Sequence, residues 1–420
     1  MAPRTEGAHI RVPTDALAEA VALQDRVSAD PREVAAAARA LLSRPRLGAE
    51  ARSVGHRTLA RALRALDRPQ DAVREARQAA TIAKRAGLVE REAQARLTLS
   101  LALFQAGRAG AAFDQIEQAE ALAEGHTAWL ASAQHGILLE RLGRLHEALA
   151  RYTAALAGPM PVPDRVQVLN NRSIALAFTG RVTEALGDLD EAIVLARAEG
   201  AAMPEAELIH NRGFVLTVVG DLPAALAHFD DADARFVALG SPIGLNLVAR
   251  ARALLRANLH REALEAARAA VSDLDEGGAA ADAAEARVLL ASAELADGAP
   301  AAAIATAQAA RRALQRQRRP ALAALADHVI VRARAAQGLQ DRRSMVRALQ
   351  CADALAEAGM VAEELDARLT AGLVARHLGD RPGATACLDA VRTHRHRGPL
   401  VERSRAWQAE AVHRLDRGDR

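Results

Sequence analysis

Two stretches forty residues apart carry nearly the same polar trio, Asn170-Asn171-Arg172 and His210-Asn211-Arg212. Gln134 stands one similar interval upstream of Asn171, and Arg250 and Arg252 stand one interval downstream of Arg212. An amide side chain both donates and accepts, so it can pair with the N–H and the C=O of an extended peptide backbone. A guanidinium forks onto a carboxylate. Gln134, Asn170, Asn171, Arg172, His210, Asn211, Arg212, Arg250 and Arg252 are therefore candidates for a peptide-binding surface. The same side chains also admit a purely architectural role, because an Asn can bond to neighbouring backbone instead.

The spacings that serve catalysis are missing. The chain has no G-x-x-x-x-G-K-[ST], no G-x-G-x-x-G after a strand and no H-E-x-x-H. His146-Glu147 begins the last of these, but the second His never comes. Cys387 lies seven residues before His394, a spacing that brings two side chains to one helix face. A nucleophile also needs an orienting third group and an oxyanion site, and neither can be identified. No catalytic residue, metal site or cofactor is expected. Cys351 and Cys387 fit no disulfide framework or zinc set and read as buried free thiols.

The elements that must position these residues are helices. Half of the 420 residues are hydrophobic, yet only 2% are aromatic; Ala and Leu supply most of the rest. Ala, Leu, Arg and Glu lose little rotamer freedom in a helix. No segment alternates apolar and polar residues over a strand length. The basic residues are almost all arginine, with Lys84 the one lysine, and they are interspersed with acids to a net charge of +3. That mixture argues against a nucleic-acid field. No signal-peptide core follows the N-terminus and no run of about 18 apolar residues exists, so a cytoplasmic protein without a membrane span is expected.

The helices recur with a beat. Turn residues fall at Asp30, Asp67, Gly107, Gly143, Gly180, Gly220, Asn258, Gly298, Gln340, Gly379 and Gly418, 36 to 42 residues apart. A fixed period in this range marks a stacked helical array. Seven residues before a turn stands a small residue, as at Ser100, Gly136, Ser173, Gly213 and Gly372. Five after it stands Ala72, Ala112, Ala148, Ala185, Ala225, Ala263, Ala303 or Ala384, with Met345 the exception. Seven further on comes a second small residue, such as Ala155 or Ala232. Small residues on facing sides let antiparallel helices approach closely. A Gly inside a helix costs about 1 kcal/mol relative to Ala, so Gly136, Gly213 and Gly372 must be offset by packing.

Gly143-Ala148-Tyr152-Ala155 and Gly220-Ala225-Phe229-Ala232 resemble the tetratricopeptide repeat. The resemblance implies an all-α fold, a right-handed α-α superhelix of about ten helical hairpins plus a terminal helix. It also implies that the first helix of each hairpin lines a groove. Some members of that family grip a peptide's C-terminal carboxylate there, with Asn at the positions of Asn171 and Asn211.

The expected organisation is a disordered N-terminus over residues 1–13, a capping hairpin over 14–48, a repeat array over 49–400 and a terminal helix over 401–420. That last helix reads as the first half of a further repeat. Pro159, Pro161 and Pro163 stop one helix, but no linker is long enough to separate domains. The whole chain is similar to the helical N-terminal region of actinobacterial CHAT-domain proteins. Stretches such as LNNRSIALAFTGRVTEALGDLDEAI and AWQAEAVHRLDRGDR carry this resemblance. It implies a regulatory or recognition arm of a caspase-like protease system, with the Cys/His domain outside this chain.

A non-catalytic scaffold for a protein or peptide is the function these features favour. The alternative is a nucleic-acid-binding helical regulator, suggested by the basic runs at 311–320 and 392–398. No aromatic interleaves with those arginines to stack a base, and both runs fall at helix ends or linkers, where Arg complements the helix C-terminus.

Overall fold

The computed structural model describes residues 15–27, 29–393 and 400–417. Among the described residues there are 21 helices and no strand. The helices group into two compact units, Met1–Met160 and Pro161–Arg420. The expected N-terminal disorder at 1–13, the turn at Gly418 and the residue His394 lie outside the described residues. The division falls in the proline-rich stretch, which the sequence marks only as a helix stop.

The first unit runs α1 (Asp15–Asp25), α2 (Pro31–Leu42), α3 (Ala49–Ala65), α4 (Pro69–Arg85), α5 (Val89–Gln105), α6 (Ala109–Leu122), α7 (Gly125–Arg141) and α8 (Leu145–Leu156). The second runs α9 (Val162–Phe178), α10 (Val182–Ala198), α11 (Ala202–Val219), α12 (Leu222–Ala238), α13 (Gly244–Arg256), α14 (His260–Glu276) and α15 (Ala280–Ala296). It continues through α16 (Pro300–Arg316), α17 (Pro320–Ala336), α18 (Arg342–Glu357), α19 (Val361–His377), α20 (Arg381–Arg392) and α21 (Leu400–Arg417).

Each odd-numbered helix from α3 to α19 packs on the even-numbered helix that follows it. The turns between them are built as their residue types require. Gly220 takes φ 90° at the end of α11. The next amide, Asp221 N, reaches back to Leu216 O at 3.0 Å and satisfies a carbonyl the helix leaves open. Asp67 and Asn258 adopt the same left-handed backbone, at φ 54° and 58°. These are the non-glycine types that tolerate it best. One turn departs from the beat: Gly338, not Gln340, is left-handed, and Asp341 then caps α18 by accepting from Ser344 N at 2.8 Å.

The small residues lie where the helices touch. The eight alanines that follow the turns by five residues are at most 3% exposed. Tyr152 and Phe229 are fully buried. Gly136 and Gly213 make room for them: a Cβ on Gly213 would lie 2.8 Å from Phe229 Cε1, and one on Gly136 2.7 Å from Tyr152 Cε1. The missing methyl is thus exchanged for a buried aromatic ring, which is worth more than the backbone cost of glycine.

Within each unit, neighbouring odd-numbered helices touch one another, whereas neighbouring even-numbered ones from α4 onward do not. A layer in contact beneath a layer splayed apart must curve, with the odd-numbered helices inside. In the second unit this inner layer comes round far enough for α21 to meet α11. Among the described residues no helix is long and apolar enough to cross a membrane.

Candidate functional site

The polar residues singled out in the sequence fall on α7, α9, α11 and α13. Gln134 belongs to the first unit. Its amide donates to Leu97 O and to Ser100 Oγ of α5, both at 2.7 Å. The others belong to the second unit and divide into two sets.

The amides and the histidine stitch adjacent inner helices together. Asn211 Nδ2 donates to Asn170 Oδ1 at 2.7 Å, joining α11 to α9. His210 pairs through its ring with Asn246 of α13 and sits 5.5 Å from the Phe229 ring centroid. Burial lowers the His210 pKa, so the ring is neutral at pH 7. Asn246 is itself buried; it donates to Phe229 O at 3.1 Å and pairs with Asp233. Burial raises the Asp233 carboxyl pKa. Asn171 accepts from Gln167 within α9, at 3.1 Å, and is half-buried.

The arginines turn toward the outer helices. Arg172 forks onto Asp188 of α10 through two bonds of 2.7 Å. The hydrogen bond to Asp188 holds the guanidinium pKa above its usual value. Arg212 pairs with Asp190 of α10, and Arg250 with Asp230 of α12 and, at 3.6 Å, with Asp233. Arg252 is exposed and has no ion pair among the described residues. It lies close to Arg256, which donates to Thr217 O of α11 at 2.8 Å.

The structure therefore brings Asn170 and Asn211 together, and His210 with Asn246. It draws Arg172, Arg212 and Arg250 away toward α10 and α12. Asn246 and Asp188 were not singled out. Asp188 carries a legible signal, since Arg172 and Asp188 each stand eight residues from Gly180. A hairpin that turns there sets them opposite each other. Asn246 offers no comparable pattern.

A cleft of about 100 Å³ between α9, α10 and α11 includes Gln167 and Asn170 in its lining. A wider hollow of about 660 Å³ lies in the first unit between α4 and α6, over α5, and is rimmed by Arg77, Lys84 and Arg85. Among the described residues, no three His, Cys, Asp or Glu side chains are grouped to hold a metal. Of the two basic runs, Arg311 pairs with Asp327 at 2.8 Å and Arg319 with Glu285 at 2.9 Å.

With that geometry in place, the chain can be set beside solved structures. A Rap protein complexed with competence and sporulation factor matches it at a TM-score of 0.61 and 12% identity. The match covers 85% of this chain and 99% of that one. A signal-transduction ATPase with numerous domains from Pyrococcus horikoshii carries a tetratricopeptide repeat sensor. That protein matches at a TM-score of 0.51 and 14% identity, over 79% of this chain and 54% of that one. The fold is tetratricopeptide-like. A Rap conjugation gene regulator of the plasmid pLS20, in complex with a Phr peptide, matches at a TM-score of 0.51 and 14% identity, over 83% and 97% of the two chains. At such identities the likeness concerns the fold. No family model and no curated protein sequence matches the chain. In this tetratricopeptide-like array the candidate residues stand on the odd-numbered, inner helices.

Proposed function

We propose that the chain is a non-catalytic scaffold that binds a peptide or a protein segment along its inner helices. The observation that carries this reading is the contact between successive odd-numbered helices, with the outer ones splayed. It leaves a curved polar face of the kind an extended segment can lie on. The Rap regulator bound to a Phr peptide supports the reading by fold. Among the candidate residues, Asn171 and Arg252 are the least committed to neighbours and are the proposed contacts. Asn170, His210 and Asn211 hold the inner helices of the second unit in register, and Gln134 ties α7 to α5 in the first. Arg172, Arg212 and Arg250 are already neutralised by aspartates.

The narrower proposal, that the scaffold is the recognition arm of a CHAT-type protease system, rests on the sequence stretches quoted above. The test of the broader one is a screen of an immobilised peptide library with the full 420-residue chain. Binders should lose affinity on Asn171→Ala or Arg252→Ala without a fall in melting temperature. A library in which no peptide is retained would end the reading.

A further inference from the structure

The first unit holds a concentration of positive charge on its inner face that the candidate residues above do not include. Arg57, Arg61 and Arg64 stand on α3 at i, i+4 and i+7, one above another on a single side. Arg57 Nη1 donates to Gln94 Oε1 of α5 at 2.8 Å, and Arg91 Nη1 reaches the same oxygen at 3.2 Å. Two guanidinium groups thus share one neutral acceptor. Arg64 Nε donates to Gln105 Oε1 at 2.9 Å, again an amide and not a carboxylate. Arg91 has a partner in Glu50 at 2.9 Å. Among the described residues Arg57, Arg61, Arg64 and Arg141 have no ion pair. Arg57 Nε is shut off from solvent and has no acceptor at all.

Such an arrangement is costly in the free protein. Burial first, then the like charges of Arg61 and Arg91, bring the Arg57 pKa down to about 10, with Glu90 opposing. Burial, then Arg141 and Arg61, do the same for Arg64. Burial also lowers Arg61, against the pull of Asp25. The mutual effect of Arg64 and Arg141 places charge from α3 and α7 on the same side of α5. Helix termini account for part of this, since Arg64 and Arg141 sit in last turns. Arg57 and Arg61 sit within α3 and receive no such help. Strained, unpaired charges of this kind cluster where a ligand completes them.

We propose that this face of the first unit is an oxyanion site for an acidic peptide segment in extended form, with carboxylates at alternate residues. The proposal rests on the peptide-binding reading and adds the chemistry of the ligand. The forked guanidinium matches a carboxylate. Successive arginines on one helix side are roughly 6 Å apart at their Cβ atoms. Alternate side chains of an extended strand are about 6.6 Å apart. Each acidic residue can therefore meet one arginine through the guanidinium atoms that solvent reaches.

The test uses the full chain and fluorescently labelled peptides, (Glu-Thr)5 and its neutral twin (Gln-Thr)5, read by anisotropy. The acidic peptide should bind, weaken with salt, and lose about 10-fold or more in affinity on Arg61→Gln or Arg57→Gln, as expected for one charge-assisted bond. Melting temperature should hold or rise in both variants, because a repulsion has been removed. Arg343→Gln, at an exposed position of the second unit, should leave binding unchanged. Equal binding of the two peptides, or indifference to both variants, overturns the proposal. So does binding of tripolyphosphate or an oligonucleotide through these arginines in preference to the acidic peptide. If neutral library peptides bind and the acidic one does not, the site fails while the scaffold reading stands.

Discussion

Nδ2 of Asn211 lies 2.7 Å from Oδ1 of Asn170, and that single bond ties α11 to α9 across the inner layer of the second unit. Replacing Asn211 by Ala leaves the Asn170 oxygen without its donor in a half-buried place. A loss of about 0.5–1.5 kcal/mol is expected, read as a shift in the midpoint of urea unfolding. An unchanged midpoint would mean that the pair contributes nothing to register.

Gly213 is the tightest test of the packing rule. Its absent Cβ would lie 2.8 Å from Phe229 Cε1 and 3.1 Å from the backbone oxygen of Ala225. The ring can move a little; the backbone oxygen cannot. Gly213→Ala should therefore destabilise by about 1–3 kcal/mol despite the better helix propensity of Ala. A more stable variant would show that the hairpin is loosely packed here.

Arg172 and Arg212 look alike in the sequence and should behave differently. The side chain of Asp188 is 8% exposed and accepts both arms of Arg172, whereas that of Asp190, the partner of Arg212, is 59% exposed. Arg172→Ala leaves a buried carboxylate unpaired, at a cost of about 1.5–3 kcal/mol. Arg212→Ala removes a largely solvated pair and should cost at most about 1 kcal/mol. Chemical denaturation of the two variants side by side measures the difference.

His328, on α17, is 2% exposed. Its Nε2 is 2.9 Å from Thr370 Oγ1 of α19. The Thr370 hydroxyl donates to Asp366 O at 2.9 Å, so Nε2–H must donate to Thr370. Burial pushes the imidazole pKa down to about 4, against the attraction of Asp366 and helped by Arg332 and Arg405. The unfolded chain then binds a proton that the folded one refuses. The stability is complete above pH ~6.5 and is lost toward pH ~4, by up to about 3 kcal/mol. Melting temperature should fall between pH 7 and pH 5, and less steeply in His328→Gln.

Burial, with Asp327 adding to it, pushes the Cys351 thiol up to about 12. Both cysteines are free and buried. A thiol that far from its thiolate is a poor nucleophile. Iodoacetamide at pH 8 should leave Cys351 unmodified in the folded chain and label it rapidly in urea; mass spectrometry of the tryptic peptide reads the outcome.

What the sequence displayed of this fold was its spacing. Ala225 and Ala232 on either side of Phe229, and Gly213 before the turn, each state how near two backbones come, and the structure buries them all. Spacing also hid things. Gln340 sits on the period, but the turn is made at Gly338, because the backbone needs a left-handed residue and finds the glycine two positions earlier. The site was less legible. Whether a polar residue faces a partner or a neighbouring helix depends on its rotamer and on the residues opposite. Arg172 was open to either until Asp188 was seen across the hairpin. The charge on α3 is hard to read from the sequence because arginine is common throughout the chain; burial without an ion-pair partner sets Arg57 and Arg61 apart.

The contact of α21 with α11 has a kinetic corollary. α21 packs on α11 as well as on α19, so the last helix of the second unit joins two inner helices far apart in sequence. If the proposed segment lies along those helices, loosening the α11–α21 contact by mutation would change how long it stays without altering any residue it touches.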